Sequence, residues 1–222
     1  MRSTTAWPTN WCVSVSEVST RLAAFSRRSI SPTSKRCRLR VSGRPPARCL
    51  PRRPADSRQA EAGGADLLLL CTNTMHKVAD QVQDAVRIPL LHIGDVAAKA
   101  VTEAGLRTVG LLGTAFTMVQ DFYVDRLAAH GLTVLVPDAA DRADVHRIIY
   151  DELCLGVVLD ESRQLYRDVI ERLVQAGAQG IVLGCTEIEL LVTKKDSSVP
   201  VFPTTLLHVQ AAVDASLADL ES

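Results

Sequence analysis

From residue 62 onward, apolar runs of four to six residues alternate with longer stretches whose apolar positions recur at helical spacing. The pattern predicts strands near 66–71, 89–93, 107–112, 132–136, 180–184 and 200–202. Helices are predicted near 76–87, 95–105, 116–130, 141–156, 160–177 and 205–220. Runs such as DLLLLC and TVGLLG do not alternate apolar with polar, so they read as strands buried on both faces. A parallel sheet covered by helices meets that requirement, and strand–helix alternation makes the fold class α/β. Ligands of such folds sit outside the carboxyl ends of the strands. Two predicted strands finish alike there: LLLLCTNT at residues 67–74 and IVLGCTEIELL at 181–191. Each apolar run ends in Cys–Thr–polar, which puts Cys71 and Cys185 at the ligand-binding edge of the sheet.

Residues 1–58 break the pattern. They are rich in Arg, Ser and Pro, as in RPPARCLPRRP, and show no period of 2 or 3.6. Taken alone they read as a disordered basic arm. Charge divides at the same place. Residues 1–60 hold 13 Lys/Arg and 2 Asp/Glu, so the rest of the chain, from totals of 25 and 25, holds 12 and 23. A formal net charge of zero thus conceals about +11 on the first 60 residues and −11 on the remainder. With 222 residues and 47% hydrophobic content, the chain can bury a substantial core. No apolar run approaches the ~20 residues of a membrane span. The N-terminus lacks the apolar centre of a secretory signal, although its Arg and Ser resemble a transit peptide. Six cysteines without CxxC pairs or metal-ligand spacing fit a reducing cytoplasm better than a disulfide scaffold.

Cys154, within IIYDELCLGVV, reads as a small buried hydrophobe on a helix. Cys71 and Cys185 read differently, because each is followed by Thr, by an amide or carboxylate side chain, and by a predicted helix. A helix N-terminus favours a thiolate or a bound carboxylate, so the two thiols are expected to have lowered pKa values. Two thiols in matching contexts suit inversion of a stereocentre. One removes the α-proton from one face, and the other returns a proton to the opposite face. A metal site would need more ligands at closer spacing, and a nucleophilic cysteine would need a positioned histidine. His76 is expected on a helix surface or behind the site, and His92, His130, His146 and His208 form no cluster readable in sequence. No Walker loop, GxGxxG or zinc-finger spacing is present.

The segments CTNTMHK, GLLGTAFTMVQDFY, ADRADVHRIIYDELCLGVV, GCTEIELL and TTLLHVQAAVD resemble the aspartate/glutamate racemase family, in particular its broad-specificity amino-acid racemase branch. The resemblance covers residues 62–222. It implies two similar parallel-sheet α/β domains with the active site in the cleft between them, here 61–102 plus 204–222 and 103–203. It implies a cytoplasmic homodimer that acts on a free amino acid, with no pyridoxal phosphate, no metal, and neither nucleic acid nor membrane as partner. By the same resemblance Cys71 and Cys185 are the catalytic pair. Thr72, Asn73 and Thr74 hold the substrate's carboxylate and amino groups, Thr186 and Glu187 form the matching loop, and Thr114 faces the cleft. Pro203 departs from the family, which usually has an acid there.

The N-terminus departs further. The family opens with a strand, a substrate-contacting glycine-rich loop of the type GGMSWEST, a helix and a second strand, none of which is visible in residues 1–60. Reading each codon's third base with the first two of the next turns SRRSISPTSKRCR, residues 26–38, into SSIDFADIEALQ for a suitable choice of third bases. Under the same shift Trp7–Pro8 must give Ala and Trp11–Cys12 must give Val. The segment is therefore read as frame-shifted, with the first domain incomplete, the flank of the strand near Leu67–Leu70 left open, and the activity impaired. Two other readings stand beside the racemase: a related decarboxylase or cis–trans isomerase of a small diacid, and a non-catalytic protein that binds small molecules or uses its basic arm.

Overall fold

The computed structural model describes residues 22–25, as backbone alone, and 53–218. Two parallel sheets carry the architecture. The first is β1 (Leu22–Phe25), β2 (Leu67–Leu70) and β3 (Leu90–Leu91), in that order. The second has the order β5 (Thr133–Leu135), β4 (Thr108–Gly113), β6 (Gly180–Gly184), β7 (Val201–Pro203). Every strand pair among the described residues is parallel, as the unalternating apolar runs require. Leu68, Leu69 and Leu70 are all buried. Removing each such side chain from water is worth roughly 2 kcal/mol.

Eight α-helices link the described strands: α1 (Arg53–Ala62), α2 (Ala79–Gln83), α3 (Ile93–Glu103), α4 (Ala115–Val119), α5 (Asp121–Ala128), α6 (Ala139–Asp151), α7 (Asp160–Gln175) and α8 (Thr204–Ala218). One core cluster packs α6 and α7 against β4 and β6, through Val145, Ile148, Tyr166, Ile170, Leu112 and Leu183. A second joins Ile93, Ala97 and Val101 of α3 to Val109 of β4, Val182 of β6 and Leu127 of α5. A third and smaller cluster, Leu68, Val78, Val82 and Val86, lies against the first sheet.

Three predicted helices change form. The span 76–87 opens as a 3-10 turn, Thr74–Val78, and is α-helical only over Ala79–Gln83. The span 116–130 breaks at Gln120, whose backbone is extended and whose side chain accepts from Lys77 Nζ at 2.8 Å. The span 141–156 stops at Asp151, and a 3-10 turn over Leu153–Leu155 ends at Gly156, with φ +76°. Glycine adopts that left-handed conformation without a Cβ penalty.

The expectation of an unstructured 1–58 falls largely outside the described residues, and so does the reading-frame reading. Two parts of it meet the structure. Leu22–Phe25 pairs in parallel with Leu67–Leu70, so this flank of β2 has a backbone partner instead of lying open. Helix α1 begins at Arg53, ahead of the boundary expected near residue 60, and packs Ala60 against the small cluster.

The carboxyl ends of β4 and β6 meet at Gly113 and Gly184, which stand in register. A Cβ on Gly113 would lie 3.0 Å from the Gly184 carbonyl oxygen and 3.1 Å from Thr117 Cβ. A side chain there would press the strands apart immediately before Thr114 and Cys185.

Candidate active site

Both cysteines stand where the sequence places them, one residue past the carboxyl ends of β2 and β6. Cys71 is partly buried and Cys185 is buried.

In the first loop, the Thr72 N–H donates to the Leu70 carbonyl at 2.8 Å, turning the chain sharply after Cys71. Asn73 is 4% exposed. Its Nδ2 donates to Thr204 Oγ1 at 3.0 Å, and the Thr204 hydroxyl donates its only hydrogen to the Leu183 carbonyl at 2.7 Å. That order fixes the amide, because Thr204 oxygen must accept from Asn73. Asn73 Oδ1 is therefore turned elsewhere, buried and without a hydrogen-bond partner. Buried acceptors are rarely left so, and this one suits a donor brought by a ligand. Thr74 Oγ1 lies 3.5 Å from Thr114 Oγ1, which in turn lies 3.2 Å from Thr117 Oγ1. Thr114 also caps α4 by accepting from the Thr117 N–H.

In the second loop, Cys185 Sγ donates to Glu187 Oε2 at 3.0 Å, and Thr186 Oγ1 donates to the same oxygen at 2.7 Å. The carboxylate is thus in place to take a proton from the thiol. Two contacts join the loops to the opposite side: Asn73 reaches β6 through Thr204, and Thr74 reaches the end of β4 at Thr114. Pro203 closes β7 opposite Leu183 and leads directly into Thr204.

The expected lowering of the thiol pKa values is overturned. Burial raises that of Cys71. Cys185 is held well above its ordinary value by burial first, then by the charge and hydrogen bond of Glu187. The physical reason is local. Each cysteine is followed by a short 3-10 turn, Thr74–Val78 or Ile188–Leu190, in place of a long α-helix with an aligned dipole. Cys154 is a second correction. It lies in the 3-10 turn after α6 and is exposed, not a core residue. Partial burial of its thiol, then the Glu187 carboxylate, nevertheless push its pKa up to about 12.

His76 is 4% exposed and its Nδ1 lies 2.9 Å from the Thr72 carbonyl oxygen, so of its two expected places it takes the one behind the site and not the helix surface. Its ring lies 4.4 Å from that of His92 and 6.0 Å from that of His208, centroid to centroid. Sequence reasoning missed this trio, because its members come from the turn after β2, the cap of α3 and the second turn of α8. Thr204 was also missed. Its position directly after a strand's carboxyl end was the available signal. Among the described residues, no group of three or more His, Cys, Asp or Glu is arranged to hold a metal ion. No described helix is long and apolar enough to cross a membrane.

The Asp/Glu/hydantoin racemase family profile matches residues 49–212. The chain is 25% identical over 158 residues to the broad-specificity amino-acid racemase RacX of Bacillus subtilis (strain 168), covering 71% of this chain and 68% of that one. A crystal structure from Yersinia pestis assigned as an Asp/Glu racemase superposes with a TM-score of 0.71 at 50% identity, over 74% of this chain and 72% of that one. An aspartate racemase homologue from Pyrococcus horikoshii OT3 gives 0.68 at 33% identity over the same shares. Fold, paired strand-end cysteines and these likenesses agree: the chain belongs to the Asp/Glu/hydantoin racemase family.

Proposed function

We propose that the protein is a cofactor-independent amino-acid racemase or epimerase in which Cys71 and Cys185 form the acid–base pair. The observation that carries this reading is the link between the loops. Asn73, two residues after Cys71, is tied through Thr204 to Leu183, two residues before Cys185. The two cysteine-bearing loops are thereby joined by one polar relay, which supports a shared site.

In this scheme the free amino acid enters with its α-ammonium toward the orphan Asn73 Oδ1. The threonine hydroxyls of Thr72, Thr74, Thr114 and Thr186 surround its carboxylate. Burial keeps both cysteines as thiols in the empty site. The arriving ammonium favours a thiolate electrostatically, the thiol proton passing to Glu187 from Cys185 or to bulk water from the partly exposed Cys71. One thiolate then takes the Cα proton, and the electron pair moves onto the carboxylate as an enediolate. The other thiol gives its proton to the opposite face, so a proton is exchanged and the configuration inverts. Glu187 is the acceptor for the Cys185 proton when that side must act as base, since its Oε2 already accepts from the thiol, 3.0 Å from Sγ. No pyridoxal phosphate or metal takes part, and the protein works as a homodimer in the cytoplasm. The exposed Cys154 has no part in the exchange.

Residues 1–60 stand where the family carries its glycine-rich substrate loop, so a frame-restored chain racemises faster than this one. A misplacement of 1 Å in the substrate costs about 100-fold. The test is deuterium wash-in at Cα in D₂O, with a panel of amino acids, on this chain and the frame-restored chain. Cys71→Ser and Cys185→Ser should each abolish racemisation in the more active of the two. Each should retain elimination from one enantiomer of a substrate with a β-leaving group, and the enantiomer should differ between them. Racemisation at the parent rate in either variant would exclude the two-thiol scheme.

A further inference from the structure

We propose that His76 is a positioning residue for the first cysteine loop, locked in one neutral tautomer that ties the backbone beside Cys71 to the start of α3. His76 Nδ1 lies 2.9 Å from the Thr72 carbonyl oxygen. A carbonyl only accepts, so Nδ1 carries the hydrogen. Nε2 lies 3.1 Å from the backbone N of Ile93, whose N–H donates to it. An N–H only donates, so Nε2 has no hydrogen. These two contacts leave the ring a single protonation state and a single orientation.

The assignment has structural support on each side. His92 packs edge-on to His76, and its own Nδ1 accepts from the Gly94 N–H at 3.1 Å, so it too is neutral with Nδ1 bare. His208, from α8, donates Nε2–H to the Leu91 carbonyl at 2.8 Å. Three imidazoles thus meet at the joint of the first loop, β3, α3 and α8, each committed to a backbone group. The charged side chains around them are Asp80 of α2, Asp95 of α3 and Arg126 of α5, and all three act on His92. Burial holds His76, His92 and His208 below the ordinary histidine range, consistent with neutral rings. A proton added at His76 Nε2 would set a donor against the Ile93 N–H and break the tie. The loop that carries Cys71, Thr72, Asn73 and Thr74 would then lose its attachment to α3. His76 touches no reacting atom. It acts through the backbone of Thr72.

This inference rests on Cys71 being the working thiol, yet its test does not require turnover. In ¹⁵N-histidine-labelled full-length protein at neutral pH, long-range ¹⁵N–¹H correlations should show His76 protonated at Nδ1 and bare at Nε2. The signal is assigned by its loss in His76→Asn. Finding the hydrogen on Nε2, or on both nitrogens, would overturn the proposal without touching the two-cysteine scheme. The second readout is the alkylation rate of Cys71 at fixed pH, followed by peptide mapping. His76→Leu removes both contacts and should raise the rate about tenfold, the gain in thiolate for each unit by which a burial-raised pKa relaxes. His76→Asn keeps an N–H donor near the Nδ1 position and should stay within about threefold of the parent, by that same proportionality. Cys154, exposed on a different turn, is the internal control, and its rate should not move. Equal Cys71 rates in the parent and His76→Leu would refute the positioning role.

Discussion

Replacing Thr204 with Val removes a hydroxyl while keeping the shape of the side chain. Thr204 has 0% exposure and its neighbour Asn73 has 4%, so water cannot substitute for what is lost. Two hydrogen bonds vanish, from Asn73 at 3.0 Å and to Leu183 at 2.7 Å. At about 1 kcal/mol net for the bond to Leu183, and about 1–3 kcal/mol for the buried Asn73 donor left without a partner, the expected loss is about 2–4 kcal/mol. In a chain of this size each kcal/mol lowers Tm by about 2–4 °C. Thr204→Ser keeps the hydroxyl and gives up one buried methyl, worth about 1 kcal/mol. The assay is urea unfolding of parent, Thr204→Val and Thr204→Ser, followed by far-ultraviolet circular dichroism. Proton exchange at Cα is measured on the same samples. Thr204→Val should lie below Thr204→Ser in both stability and exchange rate. If Val proves as stable as Ser, the Asn73–Thr204–Leu183 relay contributes nothing and the account of how the loops are joined is wrong.

Two further outcomes follow from titration. His92 is lowered to about 4 by burial first and then by Arg126, while burial also lowers His76 and His208. The unfolded chain binds these protons near pH 6.5 and the folded chain does not, so stability is full above 6.5 and falls as pH drops below it. His92 alone contributes a loss of about 3 kcal/mol between pH 6.5 and 4; a urea midpoint unchanged between pH 7.5 and 5 would contradict this. Glu187→Gln removes the charge that, after burial, does most to raise Cys185. The pH profile of Cys185 alkylation should therefore shift to lower pH, and a shift to higher pH would show that Glu187 does not restrain that proton.

The parts of this protein legible in sequence are those written locally. Leu67–Leu70 and Gly180–Gly184 announce buried parallel strands, and the abrupt change to Cys–Thr marks their carboxyl ends. What lies beyond is tertiary. The break at Gln120 coincides with a hydrogen bond from Lys77, and no local signal in AFTMVQDFY reports it. Cys154 looked like a core position because the helical period was carried past Asp151, where the helix ends in a 3-10 turn and Gly156. The thiol pKa values were misread because a helix was expected directly after each cysteine, and the dipole of a single 3-10 turn does not offset burial. The histidine trio is assembled from residues 76, 92 and 208, a separation that no spacing rule spans.

The same relay has a consequence for the order of events during synthesis. Asn73 and Thr204 are 131 residues apart, so the bond between them cannot form until that length of chain has been translated. At about 5–20 residues per second, the interval is roughly 7–26 s. Throughout it β2 has been synthesised, while α8, which supplies both Thr204 and His208, does not yet exist. The first half of the chain therefore waits on the ribosome with a leucine strand and an untethered thiol, which is the state most open to chaperones and to oxidation.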